Sequence, residues 1–451
     1  MNLADLNKIH FIGIGGIGMS GLAKYFLYKG LEVSGYDKVE TELTRDLVRH
    51  GANIHYKDNL DLILGINEID LVVYTPAIPE ESCQLTFFKN GKYVVRKRAE
   101  VLGDITESYN TIAVAGTHGK TTTSSIVAHI LQNSNDGGVA FLGGIATNYD
   151  SNILLEENDI AVVEADEYDR SFLQLQPDTI VLTSMDADHL DIYGASESVR
   201  KSFFDFVSLL KNPNLLIVEV NIAKNFKTKL SYGFSVSSDL HVKNLKIKQH
   251  AYLFDFVYKG ETFRDFTFKF PGRHNLLNAA GATLACLLNG VAFEDVKEGL
   301  STFLGVKRRF EVHIDTAKTT FIDDYAHHPK EINALINAIK EFYPSRRIVG
   351  IFQPHLFSRT RDFMDEFANV LSKMDKVILL PIYPARELPI EGINSEFLLD
   401  KIKHDNKSLI NELEKIFECV SDESPKVVVT IGAGDIDLLV PKLKNYLLEN
   451  A

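Results

Sequence analysis

Residues 115–121 read Ala-Gly-Thr-His-Gly-Lys-Thr, and these residue types at this spacing could bind phosphate. An apolar run at 111–115 precedes them as a predicted buried strand, and 122–131 follows as a predicted helix. Glycines let backbone N–H groups approach an anion, and the helix N-terminus adds partial positive charge. Lys120 can reach terminal phosphates, and the Thr121 hydroxyl can bind Mg²⁺. The alternative, a plain strand-to-helix turn, has no need of Lys and Thr together.

This phosphate loop is two residues shorter than the common Gly-x-x-x-x-Gly-Lys-Ser/Thr form, which indicates a narrower group of ATP users. Two acidic clusters follow it. Glu164 ends a predicted strand that starts at Ile160, and an acid in that position is placed to hold Mg²⁺. His189 stands among the acids of 186–191 and predicts a second metal position. A solvated acidic turn is the alternative interpretation of this second cluster.

A second glycine fingerprint, Gly-x-Gly-x-x-Gly over residues 13–18, ends a predicted strand that starts at His10. It predicts a pyrophosphate at the N-terminus of the following helix. Asp37 ends the second predicted strand, where an acid that binds ribose belongs, so NAD is one interpretation. Nothing downstream is typical of a hydride-transfer site, and this favours another diphosphate nucleotide.

His274, Asn275 and Asn278 form a polar cluster at the start of a predicted helix over 276–288. Asn278 falls one turn into this helix, where its amide can face the edge of an adenine ring. For Asn275, a helix cap is the alternative interpretation. The cluster therefore predicts contacts with a nucleotide base.

Two loops in the last third of the chain each follow a predicted strand directly. Residues 323–329 read Asp-Asp-Tyr-Ala-His-His-Pro, and 352–362 read Phe-Gln-Pro-His-Leu-Phe-Ser-Arg-Thr-Arg-Asp. Loops at the ends of parallel strands face the crevice of the sheet, so both predict ligand contacts. Arg359 and Arg361 could clamp a carboxylate or phosphate in fork geometry, with a surface salt bridge as the alternative for each.

The composition of the 451 residues excludes some classes of protein. Lys and Arg number 48 against 61 Asp and Glu, which gives a net charge of −13 and argues against nucleic-acid binding. The three cysteines Cys83, Cys286 and Cys419 are widely spaced, as free thiols in a reducing cytoplasm would be. We expect a cytoplasmic protein without membrane contact, because the sequence shows neither a signal core at its N-terminus nor an apolar run of membrane-spanning length.

The chain restarts a strand–helix alternation three times, which predicts an α/β protein of three domains with mostly parallel sheets. We expect a Rossmann-like N-terminal domain over 1–104 and a central P-loop ATPase-type domain over 105–308. A Rossmann-like C-terminal domain over 309–451 completes the chain. Residues 239–270 alternate apolar and polar side chains, as an antiparallel insertion would.

These motifs, taken in order, resemble those of the Mur ligases of bacterial peptidoglycan synthesis, in the branch that adds the first amino acid. The resemblance covers essentially the whole chain. The segments that carry it are Gly13 to Gly21, Gly116 to Thr122, Glu164 to Glu167, Asp188 to Asp191, His274 to Asn278, Asp324 to Pro329, and Gln353 to Asp362.

The resemblance implies that ATP and Mg²⁺ are cofactors and that UDP-N-acetylmuramate and L-alanine are substrates. ATP would phosphorylate the muramoyl carboxylate, and the amine of the amino acid would attack the acyl phosphate. The residues implied to bind ATP are Gly116, Thr117, His118, Gly119, Lys120, Thr121, Thr122, His274, Asn275, Asn278, Arg309 and Asp324. The residues implied to hold Mg²⁺ are Thr121, Glu164 and His189.

The resemblance also implies the two substrate sites and the catalytic group. The UDP-sugar would contact Gly15, Gly16, Ile17, Gly18, Met19, Ser20, Asp37, Thr75, Ala77, Pro79 and Arg98. The amino acid and the acyl phosphate would contact Tyr325, His327, His355 and Arg359. The residues implied in catalysis are Lys120, Glu164, His189, His327 and Arg359.

The chain departs from the family pattern at Leu356, where a basic residue is more usual, and at Ser184, where Asn is usual. Lys201 does not match the register of the carbamylated lysine of some relatives, so we expect no carbamate. A recycling ligase that adds a whole tripeptide to the same sugar nucleotide is the nearest alternative. A folate polyglutamate synthase and a nucleotide-binding regulator without catalysis are more distant. We expect a monomer or a weak dimer.

Overall fold

The computed structural model describes residues 3–134, 136–186, 196–227, 229–385, 387–421 and 426–449. Its strands form sheets of five, ten and six strands, most of them paired in parallel with helices between them. The predicted α/β class with parallel sheets is thereby confirmed. No helix within the described ranges is long and apolar enough to cross a membrane.

The first sheet contains the glycine fingerprint. Its strands are β1 (Lys8–Ile12), β2 (Glu32–Tyr36), β3 (Asn53–His55), β4 (Leu71–Tyr74) and β5 (Val95–Lys97). Its helices are α1 (Ile17–Tyr28), α2 (Glu42–Arg49), α3 (Cys83–Asn90) and α4 (Arg98–Thr106). The spatial order is β3-β2-β1-β4-β5, and every pairing is parallel. The chain reverses direction across the sheet at β1, so a crevice opens beyond the carboxyl end of this strand.

The second sheet contains the phosphate loop. Its strands are β6 (Asn110–Ala115), β7 (Val139–Ala146), β8 (Ser151–Leu154), β9 (Ile160–Ala165), β10 (Thr179–Leu182), β11 (Leu216–Glu219), β12 (Leu230–Gly233), β13 (Leu240–Lys248), β14 (Ala251–Tyr258) and β15 (Glu261–Phe268). Its helices are α5 (Lys120–Asn133), α6 (Ser196–Val207), α7 (Arg273–Leu288) and α8 (Phe293–Thr302). The spatial order is β15-β14-β13-β12-β11-β10-β6-β9-β7-β8, which places β6 among central parallel strands.

Strands β13 to β15 occupy the segment 239–270, where the sequence predicts an antiparallel insertion. Two-residue turns join them, and both residues of each turn have positive φ: Gln249 and His250 in the first, Lys259 and Gly260 in the second. That geometry is typical of the type I′ turns that join antiparallel strands.

The third sheet contains both C-terminal loops. Its strands are β16 (Glu311–Asp315), β17 (Thr319–Asp324), β18 (Arg347–Phe352), β19 (Lys376–Leu379), β20 (Lys407–Leu409) and β21 (Lys426–Ile431). Its helices are α9 (Pro329–Phe342), α10 (Phe357–Asp362), α11 (Met364–Leu371), α12 (Ser395–Lys401), α13 (Leu413–Val420) and α14 (Val440–Glu449). The order is β16-β17-β21-β18-β19-β20, with only β16 antiparallel to its neighbour among these described strands. Strand β21 is central and buried at every residue, as an apolar run in a parallel sheet requires.

The chain divides into two compact units by its contacts. One unit comprises 1–246, 253–268 and 277–304, and the other comprises 247–252, 269–276 and 305–451. The first two sheets belong largely to the first unit and the third sheet belongs to the second. The boundaries at 104/105 and 308/309 stay a prediction; the former falls within α4.

Candidate active site

The phosphate loop follows β6 and ends where α5 begins, at Lys120. Gly116 has φ +136° and Gly119 has φ +82°, conformations that favour glycine. A Cβ atom at Gly116 would clash with the Thr183 hydroxyl, and one at Gly119 would lie 2.5 Å from Oδ1 of Asn278. The loop therefore needs both glycines. Asn278 lies against it, and its contact with a nucleotide base stays a prediction.

Lys120 is held inside the loop by a buried ion pair. Its Nζ donates to Oε2 of Glu167 at 2.7 Å and to the carbonyl of Gly116 at 2.8 Å. The side chains are 13% and 2% exposed, respectively, for Lys120 and Glu167. Burial alone would lower the pKa of Lys120, but the carboxylates of Glu167, Asp166 and Glu164 outweigh it and raise the pKa above its usual value. Lys120 is therefore a fixed cation.

Residues just beyond β10 fix the outer side of the loop. The Thr117 hydroxyl donates to the carbonyl of Asp186 at 2.9 Å, and the Thr183 hydroxyl donates to the carbonyl of His118 at 2.5 Å. The hydroxyl of Ser184 accepts from the His118 N–H at 2.9 Å. Ser184 thus orders the loop.

Glu164 lies near the end of β9, on the same edge of the sheet as the phosphate loop. Its Oε2 accepts from the N–H of Gly143 at 3.0 Å, and a Cβ atom at Gly143 would clash with this carboxylate. Thr121 occupies the first turn of α5 and is buried. Carboxylate and hydroxyl oxygens are the ligands that Mg²⁺ prefers, so this donor set fits that ion. His189 lies outside the described residues, and its role as a ligand stays a prediction.

The glycine fingerprint forms the turn between β1 and α1. Oδ2 of Asp37 accepts from the N–H of Gly15 at 2.7 Å, so this acid orders the turn itself. A Cβ atom at Gly13 would lie 3.0 Å from Cγ2 of Thr75, and one at Gly18 would lie 2.9 Å from Nη1 of Arg98. The structure therefore brings together residues that the resemblance implies for the UDP-sugar. They are Gly15, Gly16, Ile17, Gly18, Met19 and Ser20 on the turn and α1, with Asp37, Thr75 and Arg98 beside them.

Ala77 and Pro79 belong to the loop after β4, with Thr75 at its start. The N–H of Ala77 lies 3.5 Å from the Thr75 hydroxyl, and the N–H of Ile78 donates to the Thr75 carbonyl at 3.1 Å. This loop therefore follows the strand that pairs with β1, at the crevice of the first sheet.

Helix α7 begins at Arg273, three residues earlier than the sequence predicts. Gly272 precedes it with φ +102° and supplies the turn. Asn275 therefore lies inside the helix rather than at its cap, and its Nδ2 donates to the carbonyl of Pro271 at 2.6 Å. A Cβ atom at Gly272 would lie 2.5 Å from Cε1 of His274, so the ring of His274 packs on the turn.

Asp324 ends β17 and accepts two backbone hydrogen bonds. They come from the N–H of Phe310 at 2.7 Å and the N–H of Ala326 at 2.8 Å. Burial raises the pKa of Asp324 to about 6, against the opposing effects of Arg309 and of these hydrogen bonds. The guanidinium of Arg309 lies 5.1 Å from the centre of the Tyr325 ring, a cation–π distance. The predicted residues Arg309, Asp324 and Tyr325 therefore form one cluster.

A second cluster contains His327, His355 and Arg359. The two histidine rings lie 6.1 Å apart, and Nη1 of Arg359 lies 3.2 Å from Nδ1 of His355. The His355 ring also stacks on Tyr383 at 5.7 Å. Burial lowers the pKa of His355 to about 4 and also lowers the pKa of His327, with Arg359 adding to both effects. Both histidines are therefore neutral at neutral pH.

Leu356 begins the turn into α10 with φ +71°, a strained conformation for a branched residue. Its N–H donates to the carbonyl of Tyr383 at 2.9 Å. Glu387, which sequence reasoning did not single out, accepts from the Ser358 N–H at 2.9 Å and also contacts the Ser358 hydroxyl. These contacts fix the short helix that carries Arg359.

Two acids of the site have no role predicted from the sequence. Glu167 lies in the segment Glu164 to Glu167 and pairs with Lys120. Glu331 accepts from the N–H groups of His327 at 3.0 Å and His328 at 3.3 Å. A signal existed for Glu331, because it stands three residues into the helix that begins after His328, the position of a capping-box acid. No local signal links Glu167 to Lys120, since 47 residues separate them.

The chain matches three family descriptions in succession. They are "Mur ligase family, catalytic domain" over residues 8–110, "Mur ligase middle domain" over 114–286, and "Mur ligase, glutamate ligase domain" over 308–434. The chain therefore belongs to the Mur ligase family, which confirms the resemblance that its motifs indicate.

Curated relatives narrow the comparison. UDP-N-acetylmuramate–L-alanine ligase of Flavobacterium johnsoniae is 45% identical over 454 residues, and that of Flavobacterium psychrophilum is 47% identical over 451, each covering 100% of both chains. The solved UDP-N-acetylmuramate–alanine ligase of Thermotoga maritima has a TM-score of 0.85 at 26% identity and covers 98% of this chain and 100% of its own. A murein peptide ligase of Psychrobacter arcticus shares the fold, with a TM-score of 0.70 at 22% identity over 98% of each chain.

Proposed function

We propose that this chain ligates L-alanine to UDP-N-acetylmuramate at the expense of ATP, in the synthesis of peptidoglycan precursors in the cytoplasm. The observation that carries the proposal is the buried ion pair between Lys120 of the short phosphate loop and Glu167, with the Glu164 carboxylate also acting on the pKa of Lys120. Full-length identity above 40% to L-alanine ligases supports the choice of substrates. A folate ligase would share the short phosphate loop but would not need the glycine turn. The intact Lys120, Glu164 and His189 argue against a regulator without catalysis.

The reaction has two steps that conserve atoms and charge. The muramoyl carboxylate takes the γ-phosphoryl group of ATP and ADP leaves; the amine of L-alanine then attacks the acyl carbon and releases phosphate as it loses a proton. Lys120 would stabilise charge on the transferring group, and Glu167 holds this cation in place. Thr121 and Glu164 would hold Mg²⁺, which supplies further neutralisation of phosphate charge when bound.

The C-terminal residues would position the amino acid. Arg359 is suited to its carboxylate, because a guanidinium binds a carboxylate in fork geometry. Nδ1 of His327 lies 2.9 Å from the Tyr325 carbonyl, so it donates there and leaves Nε2 as an acceptor. A neutral ring with a free acceptor suits the ammonium group of L-alanine, whose proton has to leave before the amine attacks.

One assay tests the proposed reaction. Phosphate release is measured with UDP-N-acetylmuramate and ATP across single amino acids and the tripeptide of the recycling ligase. We expect the highest kcat/KM with L-alanine and no turnover with the tripeptide. Preference for the tripeptide would contradict the proposal and favour the recycling ligase.

A binding measurement tests the glycine turn separately. A ligand that binds only the native state raises the melting temperature with its concentration. We expect UDP-N-acetylmuramate to raise it and NAD(H) to leave it unchanged. A shift with NAD(H) alone would return the turn to the nicotinamide interpretation.

A further inference from the structure

The hairpin of β7 and β8 contacts both the glycine-turn helix and the carboxylate expected to hold the metal, within the first compact unit. Helix α1 packs against both strands. The strands pair at their two ends, with a register shift over residues 141–146 of β7. Such a bulge takes backbone groups out of the ladder. Gly143 lies in it, and its N–H donates to Glu164 at 3.0 Å instead of to a strand.

Asn152, on the opposite strand β8, binds the first turn of α1. Its Nδ2 donates to the carbonyl of Ile17 at 2.6 Å and to the hydroxyl of Ser20 at 3.0 Å. The Ser20 hydroxyl in turn donates to the same carbonyl at 3.1 Å. Asn152 is 1% exposed, so water does not compete for these bonds. The amide is thereby oriented, because a flipped amide would place its oxygen against the Ile17 carbonyl.

The other end of the Asn152 amide shows that packing alone does not explain this residue. Its Oδ1 is buried and has no hydrogen-bond partner among the residues that the structure describes. A buried polar atom without a partner destabilises the folded state. An apolar side chain would avoid that cost, so the benefit of Asn152 lies in its two donor contacts with α1.

We propose that Asn152 is a positioning residue for the sugar nucleotide. It holds the glycine turn, which binds the diphosphate, at a fixed position relative to the bulge of β7 that contacts Glu164. The inference rests on the proposed function, in which one substrate places its diphosphate at the turn while its carboxylate reacts beside the metal. A rotation of α1 relative to the hairpin would therefore weaken binding of the sugar nucleotide before it affected ATP.

The test compares Asn152→Leu with a matched control from the same hairpin. The side chain of Asn148 also makes two hydrogen bonds, but with the end of α8 rather than with α1. Its Nδ2 donates to the carbonyl of Thr302 at 2.9 Å, and its Oδ1 accepts from the N–H of Leu304 at 2.8 Å. Calorimetric titration with UDP-N-acetylmuramate gives the Kd, and steady-state kinetics give each KM. Asn152→Ala serves as the test variant where the leucine side chain prevents folding.

We expect either Asn152 variant to raise the Kd and KM for UDP-N-acetylmuramate about tenfold, with the KM for ATP within twofold of wild type. Asn148→Leu should leave the Kd for the sugar nucleotide unchanged. If the Asn152 variants bound UDP-N-acetylmuramate as tightly as wild type, or if Asn148→Leu lost as much affinity as they do, this inference would be overturned and the proposed function would stand. Failure of the wild-type protein to bind UDP-N-acetylmuramate would overturn the proposed function together with it.

Discussion

The phosphate loop and the C-terminal cluster of His327, His355 and Arg359 both lie at the carboxyl ends of parallel strands, but charge affects the pKa values of their residues in opposite directions. Around the loop, the three carboxylates Glu164, Asp166 and Glu167 surround the single cation Lys120 and raise its pKa. In the C-terminal cluster, burial and Arg359 lower the pKa values of two histidines. The first region carries excess negative charge that favours a divalent cation. In the second region both histidines are neutral at neutral pH, so the positive charge of this cluster that can attract a carboxylate is that of Arg359.

The largest expected effect comes from breaking the first region at Lys120. Lys120→Ala should lower kcat by a factor of about 10³, because one preorganised cation at a phosphoryl group has roughly this effect. It should also destabilise the fold by about 3–5 kcal/mol, because the buried Glu167 carboxylate loses its partner.

The double variant Lys120→Ala with Glu167→Gln separates these two losses. It should regain most of the melting temperature while turnover stays low, since the amide removes the uncompensated charge but supplies no cation. Turnover within tenfold of wild type in either variant would remove Lys120 from the reaction.

The second region is expected to respond less, and in a different constant. Arg359→Lys keeps the charge but loses the fork geometry, so L-alanine should lose about 1–3 kcal/mol of binding free energy and its KM should rise accordingly. The KM for ATP should stay unchanged. Steady-state kinetics that vary each substrate in turn give both values. Arg361→Lys is the matched control, because Arg361 is exposed and pairs with Asp362 at 2.7 Å. An unchanged KM for L-alanine in Arg359→Lys would return Arg359 to a surface role.

A smaller effect distinguishes the acids of the first region. Glu164→Gln should raise the Mg²⁺ concentration for half-maximal rate about tenfold, because an amide oxygen is a weaker ligand than a carboxylate. Glu167→Gln should lower kcat with little change in Mg²⁺ dependence, because its carboxylate binds Lys120. Mg²⁺ titrations of both variants decide the point. The same change in Mg²⁺ dependence in both variants would contradict this distinction and would show that the acids act only through their total charge.

The smallest effect concerns stability and pH in the second region. The pKa of His355 is about 4 in the folded chain and about 6.5 when unfolded, so the unfolded chain binds the extra proton between these values. Stability contributed by the neutral ring is present above pH 6.5 and is lost as pH falls toward 4. His355→Gln removes this titration and should reduce the loss by about 2 kcal/mol, which is less than the full pKa difference implies because solvent screens a partly buried ring. Denaturant unfolding of both proteins over this pH range measures the loss of stability. The same pH dependence of the free energy of unfolding in both would contradict the lowered pKa of His355.

Local sequence patterns predicted most of the strands and helices, because these elements depend on the types of residues that lie next to one another in the chain. The predicted strand at 111–115 lies in β6, and the predicted strand that starts at Ile160 is β9, since apolar runs bounded by turn residues are typical of parallel strands. Helix α5 begins two residues before its predicted start, because the helix uses Lys120 itself in its first turn. The sequence offered no way to see that the hairpin of β7 and β8 is bulged.

The candidate site was likewise predicted only in part. Residue types predicted the phosphate loop, Glu164 and the arginine loop, since each motif carries its chemistry in adjacent positions. The pairing of Glu167 with Lys120, the hydrogen bond from His118 to Ser184 and the contact of Asn152 with α1 escaped prediction. Each joins residues more than 40 positions apart, so only the packed structure brings the partners together.

The central position of β21 in the third sheet has a consequence for synthesis of the chain. This strand separates β17 from β18, although it follows both by more than 70 residues. While residues 426–431 are still inside the ribosome, the emerging β17 and β18 each present an unpaired apolar edge, which is prone to aggregation. The third sheet therefore cannot be completed until β21 has emerged, and β17 and β18 stay exposed to aggregation until then.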